Sequence, residues 1–426
     1  MKLNHFQYAI IVFIMYAITL LSADQKQFSS LQRKSIVPST NLNVSQIGTC
    51  NSDITSSVSD WNGQIGGFIL PSIGTVNALI IFSQFPDDNF EVDTSLWPKG
   101  KTPADIDKWV NETWTDTPIQ GSLTHYFNDM SFNKFKFIGK TVSVIAPHTR
   151  QWYLDNGWKR GDIQKEIILK INKTMDFSEF DNWYWLSDYK QFNEPDKFID
   201  LIIFIWRNID EELDNKEEIK SKLDFTDDIR NLGGFQSPAH TTDYVFPVDN
   251  DSRKVCMNYN GLTVRNYLPD RNKAFRITVH EIAHYLLGGI SYHNGFGFWA
   301  MLSSSGVKSI VANSFERSRL GWIKLKTIPG SSAETIHNAK LSDYATTGAA
   351  YCLEIDSASG QYFYLENHQD ISYWETTFKV GNIEKGLYVI RKDYLTPSTE
   401  NDKPPSAYMK LIPADGGLSF SVLGVK

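Results

Sequence analysis

Two histidines four residues apart with a glutamate beside the first, His280-Glu281-Ile282-Ala283-His284, are the residue types that hold a divalent metal and set a base next to it. In a helix, positions four apart share a face, so both imidazoles converge on one ion at about 2.0–2.1 Å. Glu281 lies one position round, where its carboxylate reaches a water on that ion without becoming a ligand. Zinc lowers the pKa of such a water toward ~7. The carboxylate then acts as general base and passes the proton to a leaving amine. This is chemistry for breaking a peptide bond.

A catalytic zinc takes three protein ligands and keeps one position open. In the extended form of this motif the third histidine follows the second by six residues, but residue 290 here is Ile. Between His284 and Met301 there is no Asp, Glu or Cys, and the imidazole that follows is His293, flanked by Gly288, Gly289, Gly295 and Gly297, which permit a tight return. His293 is therefore the expected third ligand. The rival is Glu316 in SIVANSFERSRLGW, which would serve if the ligand came from a separate downstream helix; otherwise it would pair with Arg317 or Arg319 on a solvated face. Met301, in GFWAML, suits a turn that places a soft apolar floor beneath the histidines.

The elements that must position these groups follow from periodicity. Ile277, Val279, Ile282 and Ala283 bury one side of the motif helix, and Gly288-Gly289 ends it where a left-handed cap is easiest. VNALIIFSQFPDD, from Val76, reads as a buried strand closing in a turn, and FIDLIIFIW at 198–206 as another. Leu123 to Met130 has helical spacing, as do Ile163, Ile167, Ile168 and Ile171. Phe135, Phe137, Ile138 and Val142 to Ile145 suit a strand or hairpin. Strands and helices alternate up to about residue 325, so the expected class there is α/β (α+β) with a mixed sheet. Beyond it AAYCLEI, GQYFYLENH, GLYVIRK, YMKLIP and LSFSVLGV form short strand-like runs, expected as a β-rich C-terminal module.

A chain of 426 residues, 41% apolar, can bury a substantial core. With a net charge of −7 and no basic block, the footprint of a nucleic-acid or anionic-membrane partner is missing. The first residues carry one lysine, an apolar stretch from Tyr8 to Leu21 and small residues at the exit, which is a signal-peptide layout with cleavage expected after Ala23. The organisation expected is a signal peptide over 1–23, a polar extension or pro-segment over 24–70, a catalytic domain over 71–325 and the β-rich module over 326–426. The mature protein is expected to be secreted, with no membrane contact. The 3 cysteines, Cys50, Cys256 and Cys352, allow one disulfide and leave one thiol over. Cys50 lies ahead of the core, where it would either reach the zinc as a thiolate and hold a precursor inactive or stand as an unpaired or disulfide-linked cysteine in the extension. Asn43, Asn111 and Asn172 head glycosylation acceptor sequences.

Taken together, HEIAHYLLGG, the following His293, WAMLSSSG and RSRLGWIKL resemble the immune inhibitor A-like secreted zinc metallopeptidases, relatives of the metzincins with a methionine turn. NALIIFSQFPDD, SLTHYFNDMSFNKFKFIG, GQYFYLENHQ, GLYVIRKDY and KLIPADGG resemble further signatures of that family, in order over residues 76 to 418. The resemblance implies a metzincin-like fold and a secreted endopeptidase acting on protein or peptide substrates, with His280 and His284 as zinc ligands and Glu281 as base. It also implies calcium, for which VDNDSR at 248–253 has suitable oxygens. The chain departs from the pattern in the displaced third-ligand register, in Ala283 where glycine is common, and in His368 where the family has arginine. Two other functions stay open from the residues: a binding or adhesion protein that keeps the fold without turnover, and a zinc hydrolase acting on a non-protein target.

Overall fold

The computed structural model describes residues 67–88, 96–158, 160–187, 190–207, 234–235, 245–256, 261–264, 271–287, 299–302, 309–329, 339–356, 361–379, 384–392 and 409–412. All belong to one compact unit, Gly48–Lys426.

The first strand, β1 (Gly74–Gln84), is apolar on both faces, as a central strand of a parallel sheet must be. Its side chains divide by parity. Val76, Ala78, Ile80 and Phe82 enter one core, and Leu79 and Ile81 enter another on the opposite face. Helix α1 (Leu123–Ser131) follows, capped by Ser122, whose side chain accepts from His125 N, and buried through Leu123, Tyr126, Phe127 and Met130. It is the crossover that lets β2 (Phe135–Ile145) return parallel to β1. The strand-or-hairpin alternative over this stretch resolves as one strand, paired with β1 from Gly74↔Phe135 to Gln84↔Ile145. In that pairing Gly139 lies opposite Ala78, and a Cβ at Gly139 would stand 2.3 Å from the Ala78 carbonyl oxygen. Gly139→Ala is expected to push the two strands apart and destabilise the protein by about 1–3 kcal/mol, read as a lower thermal midpoint. An unchanged midpoint would show that the approach is not tight.

Next come α2 (Arg150–Asp155) and α3 (Arg160–Ile171). The latter lays Ile163, Ile167, Ile168 and Ile171 on the core that receives Leu79 and Ile81. A hairpin, β3 (Tyr184–Ser187) with β4 (Lys190–Phe192), leads to β5 (Ile202–Trp206), which is wholly buried and parallel to β1. The remaining strands of the first half are β6 (Gly234–Phe235), the antiparallel pair β7 (Val245–Val248) and β8 (Arg253–Cys256), and β9 (Gly261–Val264). The first sheet has the order β2-β1-β5-β9-β6, parallel except at β6. Helix α4 (Arg271–Leu287) covers the face opposite α3, with Val279, Ile282 and Ala283 in the core shared with Ile80, Ile203 and Ile205.

After α5 (Ser314–Arg319) the chain builds a second sheet from β10 (Lys326–Pro329), β11 (Ala350–Asp356), β12 (Gln361–His368), β13 (Gly386–Lys392) and β14 (Met409–Leu411), in chain order. Its first pair is parallel and the others antiparallel. Two short helices, α6 (Tyr344–Thr347) and α7 (Tyr373–Thr377), flank it. Tyr364, Trp374, Ile390 and Met409 join the same core as α1 and α4. The class is mixed α/β, with one largely parallel and one mixed sheet. LSFSVLGV lies outside the described residues.

Phe68, Ile69 and Leu70, at the end of the polar N-terminal stretch, are buried in that core. Their amides serve the last turn of α4: Phe68 N donates to Leu286 O at 2.9 Å and Ile69 N to Tyr285 O at 2.8 Å. These are the carbonyls that a helix end leaves without partners. The signal-peptide and extension residues before 67, Cys50 and Asn43 among them, lie outside the described residues. Cys256 is disulfide-bonded and Cys352 is a buried free thiol, which is one disulfide and one thiol left over. Burial pushes the Cys352 thiol up to about 11, so it stays protonated and unreactive at neutral pH. Among the described residues no helix is long and apolar enough to cross a membrane.

Candidate metal centre

Helix α4 runs through the whole motif. His280 is partly exposed, while Glu281 at 8% and His284 at 2% exposure are nearly enclosed. The two imidazoles face each other across one turn, ring centroids 5.0 Å apart and planes at 86°. This is the shared face that the four-residue spacing demands.

One hydrogen bond fixes how His280 presents itself. Its Nδ1 lies 2.9 Å from the carbonyl oxygen of Met301. A carbonyl oxygen only accepts, so Nδ1 carries a proton, and in the neutral ring the lone pair is on Nε2. A histidine that ligates metal through one nitrogen is commonly held by such a bond at the other. Met301 is 2% exposed. Met301 meets the motif through its backbone carbonyl.

The Met301 segment is itself held by Glu316. The Glu316 carboxylate accepts from Met301 N at 2.9 Å and Asn313 N at 3.2 Å through Oε2, and from Leu302 N at 3.1 Å through Oε1. Asn313 returns the contact: its Oδ1 accepts from Glu316 N at 2.9 Å, completing a capping box at the start of α5. Its Nδ2 donates to Trp299 O at 3.1 Å. Glu316 is 0% exposed. It does not stand on a solvated face, and its oxygens accept from three backbone amides. The sequence raised Glu316 as a ligand because a carboxylate on a downstream helix has the right chemistry. The capping signal Asn-x-x-Glu was also present and describes its actual bonds.

Arg317 is buried alongside, donating to Met130 Sδ at 3.0 Å and Ala345 O at 3.2 Å, with its guanidinium 4.9 Å from the Tyr344 ring centre. Tyr126 and Tyr344 donate to Ile310 O at 2.6 Å and Ala312 O at 2.9 Å. Thus the stretch leading into α5 is tied to α1 and α6. Burial, then the charge of Glu281, raises the Tyr285 phenol far above its ordinary value, so it is neutral beside the base.

His293 falls in 288–298 and lies outside the described residues. Among the described residues no group of three or more His, Cys, Asp or Glu side chains is arranged to hold a metal ion. The VDNDSR stretch forms the turn between β7 and β8, with Asp249, Asn250 and Asp251 all at positive φ of 50°, 53° and 66°. The Asp249 carboxylate accepts from Phe177 N at 3.1 Å and lies 3.7 Å from Arg253. Asn111 Oδ1 accepts from Ile119 N at 3.1 Å, and Asn172 Oδ1 accepts from Asp249 N at 2.9 Å. Both asparagine amides thus have local structural bonds.

What spacing did not reveal is a second polar cluster behind Trp299, made of Glu366, His368 and Glu375. The one sequence signal is parity: Glu366 and His368, two apart in a strand, lie on the same face and are both buried. No protein-family model matches the chain, and no curated protein matches it.

Proposed function

We propose that this protein is a secreted zinc-dependent metalloendopeptidase of metzincin-like fold, with the sheet of β10 to β14 as its C-terminal module. The observation that carries the reading is the Met301 carbonyl on His280 Nδ1, which holds the proton on that nitrogen and leaves Nε2 as the one that can coordinate, beside His284 on the same helix face. That donor set fits zinc: two neutral imidazoles from one helix turn, one of them oriented from behind. His280, His284 and His293 would hold the ion. A zinc ion supplies Lewis-acid polarisation of a carbonyl and makes a neighbouring water more acidic.

The chain's own residues do the rest. The Glu281 carboxylate takes a proton from the attacking water and returns it to the nitrogen of the departing amine. Its enclosure keeps that proton from exchanging freely with bulk solvent. Tyr285, neutral one turn further on, adds no competing charge. The Glu316 clamp keeps the Met301 carbonyl in place, so His280 does not have to be ordered at each turnover.

The test is metal content together with cleavage of an unfolded protein. The expected result is one zinc per chain, with activity lost on chelation and restored by zinc. A chain that binds no zinc when refolded with it overturns the reading. One that binds zinc and cleaves nothing leaves the binding-protein alternative in its place, and turnover confined to a glycan or a non-peptide amide leaves the other hydrolase.

A further inference from the structure

His368, the last residue of β12, is 1% exposed. Its Nδ1 is 2.6 Å from Glu375 Oε1 and its Nε2 is 2.9 Å from Glu366 Oε2. Carboxylate oxygens accept from both sides, and an imidazole donates through both nitrogens only as the cation. The ring stacks on the Trp299 indole, with centroids 3.9 Å apart and planes at 18°. Glu366 also accepts from Ser314 N at 2.7 Å, at the first residue of α5. Glu375 in turn accepts from Ser372 Oγ at 3.0 Å. Two physical routes therefore lead from His368 to Met301. One passes through Trp299, two residues upstream of Met301. The other passes through Glu366 and Ser314 into α5, whose Glu316 holds the Met301 and Leu302 amides.

We propose that His368 is a positioning residue for the metal centre: its imidazolium, gripped by Glu366 and Glu375 and stacked on Trp299, secures the turn whose Met301 carbonyl orients His280, so that loss of its proton loosens the centre. The inference rests on the zinc reading of His280 and His284, and it gives that site an alkaline limit set from outside its ligands.

The surroundings favour the cation. Asp370 and Glu384 line the same pocket as Trp299, His368 and Glu375. Asp370 is paired with Lys379 at 2.7 Å, and Arg317 lies on Tyr344 rather than on His368. Burial lowers the His368 pKa, but the hydrogen bonds and charges of Glu366 and Glu375 outweigh it and leave the pKa above its ordinary value. Tyr344 and Tyr388, whose rings pack against His368, are both raised by burial and neighbouring carboxylates, so neither phenol ionises first. Because the folded value lies above the unfolded one, the contribution of His368 is complete below about pH 6.5 and is lost as pH rises through the folded value.

The test compares wild type, His368→Arg and His368→Gln in the full chain between about pH 7 and 10, a window opening above the ordinary histidine pKa. Zinc affinity is measured by competition with a chromophoric chelator. In the zinc-free chain, the His280 tautomer is read from imidazole nitrogen NMR. Wild type should lose affinity and the Nδ1–H tautomer as pH rises. His368→Arg, charged throughout, should remove that decline. His368→Gln should bind zinc about 10–100-fold more weakly already at the acid end, with no further decline. Wild-type affinity and tautomer in His368→Gln, or an unchanged decline in His368→Arg, would overturn the proposal. If the glutamine variant does not fold, the wild-type and arginine profiles decide. Neither readout requires peptide cleavage, so a zinc protein without turnover would end the peptidase reading and leave this result standing. A wild type that binds no zinc also ends that reading, and the tautomer profiles of the zinc-free chains still decide the role of His368.

Discussion

Glu281→Gln is expected to lower the rate of cleavage of an unfolded protein by about 10²–10⁴-fold, the range for loss of a positioned general base, while zinc content stays unchanged. The substitution keeps the size of the side chain and removes only its ability to take a proton. Glu281 stands beside both histidines on α4, at 8% exposure, without lying on the line between them. The measurement is kcat on one substrate with zinc quantified in the same samples. Equal activity in the variant would place the base elsewhere, and zinc lost with activity would make Glu281 part of the metal's support. The fall belongs in kcat more than in KM, because proton transfer is made in the transition state and not in the bound ground state.

Glu316→Ala should have the largest effect on stability. The change leaves the amides of Met301, Leu302 and Asn313 buried without the carboxylate they donate to, at about 1–3 kcal/mol for each donor left unsatisfied. It also removes half of the capping box that starts α5. A loss on the order of 3–5 kcal/mol is expected, within the range for breaking a buried charged contact, and it appears as a lower thermal midpoint. Because the Met301 carbonyl moves with its neighbours, zinc affinity should fall in the same variant. A variant with near-normal stability and no zinc would instead point to Glu316 as a ligand. Near-normal stability with normal zinc would mean that the turn is held by other contacts.

Much of the scaffold could be read from local pattern. Continuous apolar runs located β1 and β5, short alternating runs located β11, β12 and β13, and helical spacing located α1, α3 and the motif helix α4. These signals survive because each element buries its face against whatever packs on it. Register and pairing were less legible. β2 runs as one strand because its partner is β1, across an intervening helix, and not a neighbouring stretch of its own sequence. Phe68 to Leu70 belong to the core because the open carbonyls of α4, more than two hundred residues away, accept their amides.

By itself the sequence determined that His280 and His284 share a helix face with Glu281 beside them, since a four-residue interval and an apolar flank allow little else. Only the tertiary structure decided what stands behind that face. The Met301 carbonyl selects the His280 tautomer, Glu316 grips the turn through its backbone amides, and His368 sits as a cation between two carboxylates under Trp299. The physical reason is range. Helical spacing is a property of consecutive residues, whereas these bonds join groups 7 to 52 positions apart, or two apart on one buried strand face, and their geometry exists only once both sheets have packed around one core.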